Sequence, residues 1–116
     1  MTATPKVIIA AQDAPSSTTT LYTSPAAASG GKGTWVDKFT AHNHTAAAVS
    51  LTIYIVPSGG SAADSNKLIA AMGLAAGFTD TLPEVVGKFL NPGDFIAVVA
   101  SAATSISVAA NGRELT

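Results

Sequence analysis

The 116-residue sequence contains no cysteine and very few charged residues. The lack of cysteine excludes disulfides and thiolate metal ligands, and it fits a protein made in a reducing cytoplasm. Lys, Arg, Asp and Glu together form only 11% of the chain, and the formal net charge is -1. The six basic residues are scattered along the sequence. Since phosphate binding requires clustered Lys and Arg, we expect no nucleic-acid partner.

Long apolar runs are also missing. The longest of them, such as residues 95–100, fall far short of the ~20 residues that a membrane-spanning helix needs, so we expect no membrane insertion. Residues 1–5 lack the charged start and apolar core of a signal peptide, and we expect none.

Hydrophobic residues, by contrast, make up 47% of the chain. The length corresponds to one domain with a single core. Because so many apolar and so few charged residues leave little polar surface for a free monomer, the composition favours an oligomer or a protein embedded in an assembly.

The clearest secondary-structure pattern lies between residues 46 and 70. From 49 to 55 every second residue is large and apolar, which predicts a strand with one buried face. Tyr54 is then on the open face. Pro57 and the Ser/Gly segment 58–61 end this strand, because proline cannot donate to a sheet and glycine frees the backbone.

Similar short runs recur along the chain, separated by turn residues every ~8 to 12 positions, as in sandwiches and barrels. The predicted strands are residues 6–11, 18–23, 34–41 (with a bulge at Asp37-Lys38), 49–55, 67–72, a short strand around Phe78, 85–90, 95–101 and 104–110. Asn91–Asp94 predicts a type II turn, and Asn111-Gly112 a hairpin turn.

The sequence therefore predicts an all-β fold: an antiparallel β-sandwich, jelly-roll-like, with about eight short strands. Residues 6–116 form the single domain, and residues 1–5 are expected to be a flexible N-terminal arm because no large apolar side chain anchors them. The predicted core residues are Phe39, Val49, Leu51, Ile53, Ile55, Phe78, Phe95, Val99, Ile106 and Val108.

No motif in the sequence predicts catalysis. His42 and His44 are two residues apart and project to the same side of an extended chain, but no motif supplies a third metal ligand. The glycine-rich segment 29–34 has Gly33 after Lys32, where a phosphate loop needs Ser or Thr. There is no G-x-S-x-G elbow and no reason to pair two carboxylates. We expect no enzyme activity, and no catalytic, cofactor-binding or metal-binding residues.

The segment 95–100 is apolar on both faces, which is unusual in a two-layer sandwich. With Phe95 and Val99 directed into the core, Ile96 and Val98 face outward and need cover from a second subunit. Ile96 and Val98 are therefore predicted interface residues in a homo-oligomer or a larger assembly. Lys6, Tyr22 and Tyr54 are further candidates for such surface contacts.

Several runs resemble a family of small β-sandwich virion proteins of tailed bacteriophages. They are LTIYIVPSGG followed by a small polar loop and KLI, FTAHNHTAAAV before it, and LNPGDFIAVVASAATSISVAANG after it. The resemblance extends from about Thr18 to the C-terminus.

This resemblance implies a non-enzymatic structural component of a phage virion, made in the cytoplasm of the bacterial host. A capsid decoration or cement protein is favoured, and a neck, collar or tail component is the first alternative. The implied partner is the major capsid protein or another virion protein, and threefold positions on icosahedral capsids suggest a homotrimer. A carbohydrate- or receptor-binding module is a further alternative, because sandwiches of this size also serve as lectin scaffolds and fold does not determine function.

Overall fold

The computed structural model describes residues 1–116 and is built almost entirely of β-strands. The strands are β1 (Ala3–Asp13), β2 (Thr19–Thr23), β3 (Gly33–Asn43), β4 (Val49–Val56), β5 (Lys67–Leu74), β6 (Thr79–Asp80), β7 (Phe89–Leu90), β8 (Phe95–Ala100) and β9 (Ile106–Leu115). Single turns of 3-10 helix occur at Ala27–Ser29 and Asp64–Asn66. Neither helix has the length or apolar character to cross a membrane.

The strands form two antiparallel sheets that pack face to face. Sheet I has the order β1-β9-β3-β6, with β7 pairing the same edge of β3 as β6, and sheet II has the order β2-β8-β4-β5. From β1 to β4 the chain changes sheet at every connection, and it changes again between β5 and β6, β7 and β8, and β8 and β9. This winding is that of a jelly roll, so the predicted fold class is confirmed.

Most of the predicted core lies where expected, between the sheets. Phe39, Val49, Leu51, Ile53, Ile106 and Val108 are buried. Ile55, Phe95 and Val99 are half-buried. Three core predictions are wrong: Phe78 is 57% exposed in the turn between β5 and β6, and Phe95 and Val99 lie on the outer side of β8.

The face of β8 that is directed into the core is the opposite of the predicted one. Ile96 and Val98 pair in register with Ile55 and Ile53 of β4 and are fully buried in the core. Phe95 and Val99 take the outer side. Because the side chains on both faces are apolar, the sequence of β8 does not determine which face is directed into the core. Pairing with the neighbouring strands determines it. The prediction that Ile96 and Val98 form an exposed interface is therefore wrong for the folded chain.

The first residues of the chain belong to the sheet rather than to a separate arm. Ala3, Thr4 and Pro5 of β1 lie opposite residues 113–115 of β9. Thr2 and Thr116 exchange backbone hydrogen bonds of 2.8 and 2.9 Å. The prediction of a flexible arm overlooked this pairing because residues 3–5 have no large apolar side chain.

Two further boundaries differ from the predicted ones. Asn111-Gly112 is not a hairpin turn but lies inside β9, between β1 and β3. A side chain at position 112 would come within 2.3 Å of the Trp35 carbonyl oxygen, so glycine serves close strand approach there. The predicted strand 85–90 is reduced to β7 after a turn.

Two local predictions are confirmed. In the turn Asn91–Asp94, Gly93 has φ of 86° and the Asp94 N–H donates to the Asn91 carbonyl at 3.0 Å, as a type II turn requires. The predicted bulge in β3 occurs between Val36 and Lys38.

Candidate interaction surfaces

The outer side of sheet II carries no charged side chain across three adjacent strands, because β2, β8 and β4 contain no Lys, Arg, His, Asp or Glu. Its outward residues follow from the register with buried Ile96 and Val98. They are Thr20, Thr23, Thr52, Tyr54, Phe95, Ala97 and Val99, here called the charge-free face. Phe95, Val99 and Tyr54 are half-buried. Tyr54 thus lies on the outer face, as predicted.

The border of the charge-free face is marked by an ion pair on β5 and the turn before it. The Lys67 ammonium lies 5.8 Å from the centre of the Tyr54 ring and 2.9 Å from the Asp64 carboxylate. The hydrogen bond between these two charges raises the pKa of Lys67 and lowers the pKa of Asp64. Asp64 is almost fully exposed, so this pair contributes little to stability.

Lys6 and Tyr22, both predicted contact residues, are brought together by Glu114. The Tyr22 hydroxyl donates to one Glu114 oxygen at 2.5 Å, and the Lys6 ammonium donates to the other at 3.3 Å. Thr34 Oγ1 lies 2.9 Å from the Tyr22 hydroxyl and 2.8 Å from Ser24 Oγ. We call these five residues the inter-sheet network, because Tyr22 belongs to sheet II and its carboxylate partner to sheet I.

This network holds Tyr22 in its neutral form. Burial, and then the hydrogen bond to Glu114, raise the pKa of Tyr22 well above its ordinary value, because both disfavour a phenolate. The Glu114 side chain is only 12% exposed, while that of Lys6 is 53% exposed. Tyr22 therefore connects the two sheets through its hydroxyl group, and Lys6 remains partly exposed at the surface.

The outer side of sheet I carries an exposed aromatic pair. Trp35 of β3 and Phe89 of β7 are direct cross-strand neighbours, with ring centres 4.9 Å apart and planes inclined by 60°. They are 38% and 36% exposed. We call this pair the aromatic platform. Both rings face outward because their sequence neighbours Val36 and Leu90 are fully buried on the inward side.

Beside the aromatic platform lies a shallow, open depression of about 360 Å³. It is lined by Pro5, Lys6, Val7, Asp37, Asn111 and Gly112. The Arg113 guanidinium forms a fork with the Asp37 carboxylate at 2.9 to 3.2 Å, and these hydrogen bonds raise the pKa of Arg113. Arg113 lies opposite Trp35 in register, so the ion pair separates the platform from the depression.

The two histidines do not share a site. His42 Nδ1 lies 2.7 Å from the Thr79 hydroxyl, and His44 Nε2 lies 2.7 Å from the Asp13 carboxylate. No group of three or more His, Cys, Asp or Glu side chains is arranged to hold a metal ion.

Comparison with known proteins supports the fold. No protein-family model and no curated protein matches the chain. A chain in the structure of infectious bursal disease virus Gx strain has a similar fold, with a TM-score of 0.53 and 14% sequence identity. The match covers 97% of the present chain and 32% of that chain, so the present chain spans about a third of its length. At this identity the similarity concerns the fold alone.

Proposed function

We propose that the protein is a non-enzymatic structural component of a virus particle, and more specifically a decoration or cement protein on the capsid of a tailed phage. The observation that carries the proposal is the jelly-roll fold. Nearly the whole of the present chain matches part of a chain from a virus structure. The sequence resemblance to phage virion proteins supports the phage assignment. A neck, collar or tail position in the same kind of particle is the alternative.

Self-association through the charge-free face is part of the proposal. In a threefold ring this face meets a different surface of the neighbouring copy, and because it carries no charges its burial has no charge-desolvation cost. Phe95 and Val99 are branched or aromatic side chains left half-buried there. Their complete burial would add on the order of 1 kcal/mol each, half of the value for a fully exposed side chain. We expect a homotrimer. Its contacts involve Phe95, Val99 and Tyr54 on the outer face, and not the buried Ile96 and Val98.

The virion assignment is tested on particles from the bacterial strain that carries the coding sequence. Mass spectrometry of purified particles should find the chain in a fixed ratio to the major capsid protein. Immunogold labelling then separates the positions: label over the head supports decoration, and label confined to the neck or tail supports the alternative. Purified particles that lack the chain would refute the virion role.

The interface is tested by sedimentation of the purified protein. Val99→Asp places a charge on the charge-free face and should convert the oligomer to monomer while the β-sheet circular dichroism is retained. Thr40→Asp is the matched control, because Thr40 is exposed on β3 in sheet I. A monomeric unmutated protein at micromolar concentration would exclude self-association, and equal dissociation by both variants would exclude this face.

A further inference from the structure

We propose that the outer face of sheet I is a binding site for neutral oligosaccharide, in which the aromatic platform stacks against sugar rings and the side depression supplies the polar contacts. This inference is independent of the proposed virion role. It rests on the ring geometry, on an unpaired amide and on the charge balance of the depression.

The aromatic platform is held rigidly. A side chain at position 33 would come within 2.1 Å of the Phe89 ring, so this ring lies directly over the backbone of Gly33. Gly33 has φ of 119°, a conformation that favours glycine. The Phe89 ring also makes an inclined contact with the Trp35 ring. An exposed aromatic ring held in a fixed position is suited to stack on the apolar C–H face of a pyranose, because little conformational entropy is lost on binding.

The depression supplies polar groups suited to hydroxyls. The Asn111 side-chain amide makes no hydrogen bond within the chain, so its donor and acceptor are both free. The forked Asp37 and Arg113 side chains are 39% and 47% exposed and still offer further donor and acceptor positions. Sugar hydroxyls both donate and accept hydrogen bonds, and a mixed set of carboxylate, guanidinium and amide groups matches them.

The charge balance predicts a neutral ligand. The two charged residues that line the depression each have an opposite partner: Asp37 has Arg113, and Lys6 has Glu114. A phosphate or a uronate would have to compete with these carboxylates for the cations. A neutral sugar can bind without displacing these carboxylates from the cations.

The direction of the site follows the sheet. Phe89, Trp35, Arg113 and Pro5 lie directly opposite one another on four adjacent strands. With strands ~4.8 Å apart this row is about 14 Å long. The site is therefore shaped for several linked sugar units crossing the strands, rather than for one enclosed monosaccharide, since the depression is open.

Tryptophan fluorescence provides a direct test, because Trp35 is the single tryptophan of the chain. The probes are cellohexaose, maltohexaose and mannohexaose, with hexagalacturonate as the anionic counterpart. We expect at least one neutral hexasaccharide to shift or quench the emission saturably and with little dependence on salt. No response to any neutral probe, together with no neutral ligand on a glycan array, would overturn the proposal. A response to hexagalacturonate alone would also overturn it.

Variants separate site effects from fold effects, with binding followed by calorimetry. Trp35→Ala should weaken binding about tenfold or more, the scale of an aromatic contact together with its buried area. Asn111→Ala should weaken it with no change in melting temperature, because that side chain has no partner in the fold. Phe78→Ala removes an exposed ring elsewhere and should bind as the unmutated protein does. Full affinity in both Trp35→Ala and Asn111→Ala would overturn the assignment of the site.

Discussion

Replacing Tyr22 by Phe removes a single oxygen atom from the inter-sheet network and leaves the ring in place. The lost contacts are the 2.5 Å hydrogen bond to Glu114 and the 2.9 Å contact with Thr34. Both partners belong to sheet I, whereas Tyr22 belongs to sheet II. The substitution therefore measures what the network contributes to holding the two sheets together.

The expected loss follows from the charge and burial of Glu114. A hydrogen bond to a charged group contributes about 1.5 to 3 kcal/mol, and leaving a buried acceptor unpaired adds to the cost. Because Lys6 remains 3.3 Å from the same carboxylate and partly compensates, we expect a loss of about 2 kcal/mol in the free energy of unfolding. For a domain near 100 residues this corresponds to a fall in melting temperature of about 8 °C.

The substitution should also change the alkaline stability. Burial raises the pKa of Tyr22 in the folded state, whereas the unfolded chain ionises near pH 10. The stabilisation from neutral Tyr22 is therefore complete below about pH 10 and is lost as the pH rises further. The stability difference between the unmutated protein and Tyr22→Phe should shrink above about pH 10.

Chemical denaturation and calorimetry measure both effects, with Tyr54→Phe as the control. The Tyr54 hydroxyl makes no hydrogen bond within the chain, so its removal should leave the melting temperature nearly unchanged. Equal melting temperatures for Tyr22→Phe and the unmutated protein would refute the role assigned to the network. A constant stability difference up to high pH would refute the explanation by burial.

Two further substitutions and one deletion test other parts of the structure. Val98→Asp should abolish the folded circular dichroism spectrum, since it places an unpaired charge at a fully buried site; a folded, soluble variant would restore the outward assignment. Deletion of residues 1–5 should cost on the order of 2 kcal/mol through lost pairing with β9, and an unchanged melting temperature would show a detachable arm. Gly33→Ala should displace Phe89 and destabilise the fold by about 2 kcal/mol, and calorimetry showing no loss would contradict the close packing there.

Local periodicity and turn chemistry determined much of the fold. The alternation from 49 to 55 predicts β4 with its buried face, and the turn Asn91–Asp94 separates β7 from β8 at the expected place. Such features depend on one residue and its near neighbours, so the sequence contains what is needed to predict them. The all-β class follows from their number.

Features that depend on a partner strand were predicted poorly. The apolar segment 95–100 is compatible with either phase, and only pairing with β4 directs Ile96 and Val98 inward. Residues 3–5 and Asn111-Gly112 resemble an arm and a turn in isolation. They are strand residues because β9 pairs with both β1 and β3, which are more than 60 positions away in the sequence.

The pairings within the candidate sites depend on the tertiary structure. Lys6, Tyr22 and Glu114 are distant in sequence, and no spacing rule connects a tyrosine on one sheet with a carboxylate on the other. Trp35 and Phe89 likewise become a pair only because β7 lies along β3. The sequence by itself determined that the chain forms short strands and that few of their side chains are charged. Long-range pairing decided which apolar side chains are buried and which are left on the surface, because burial depends on the facing strand and not on the residue alone.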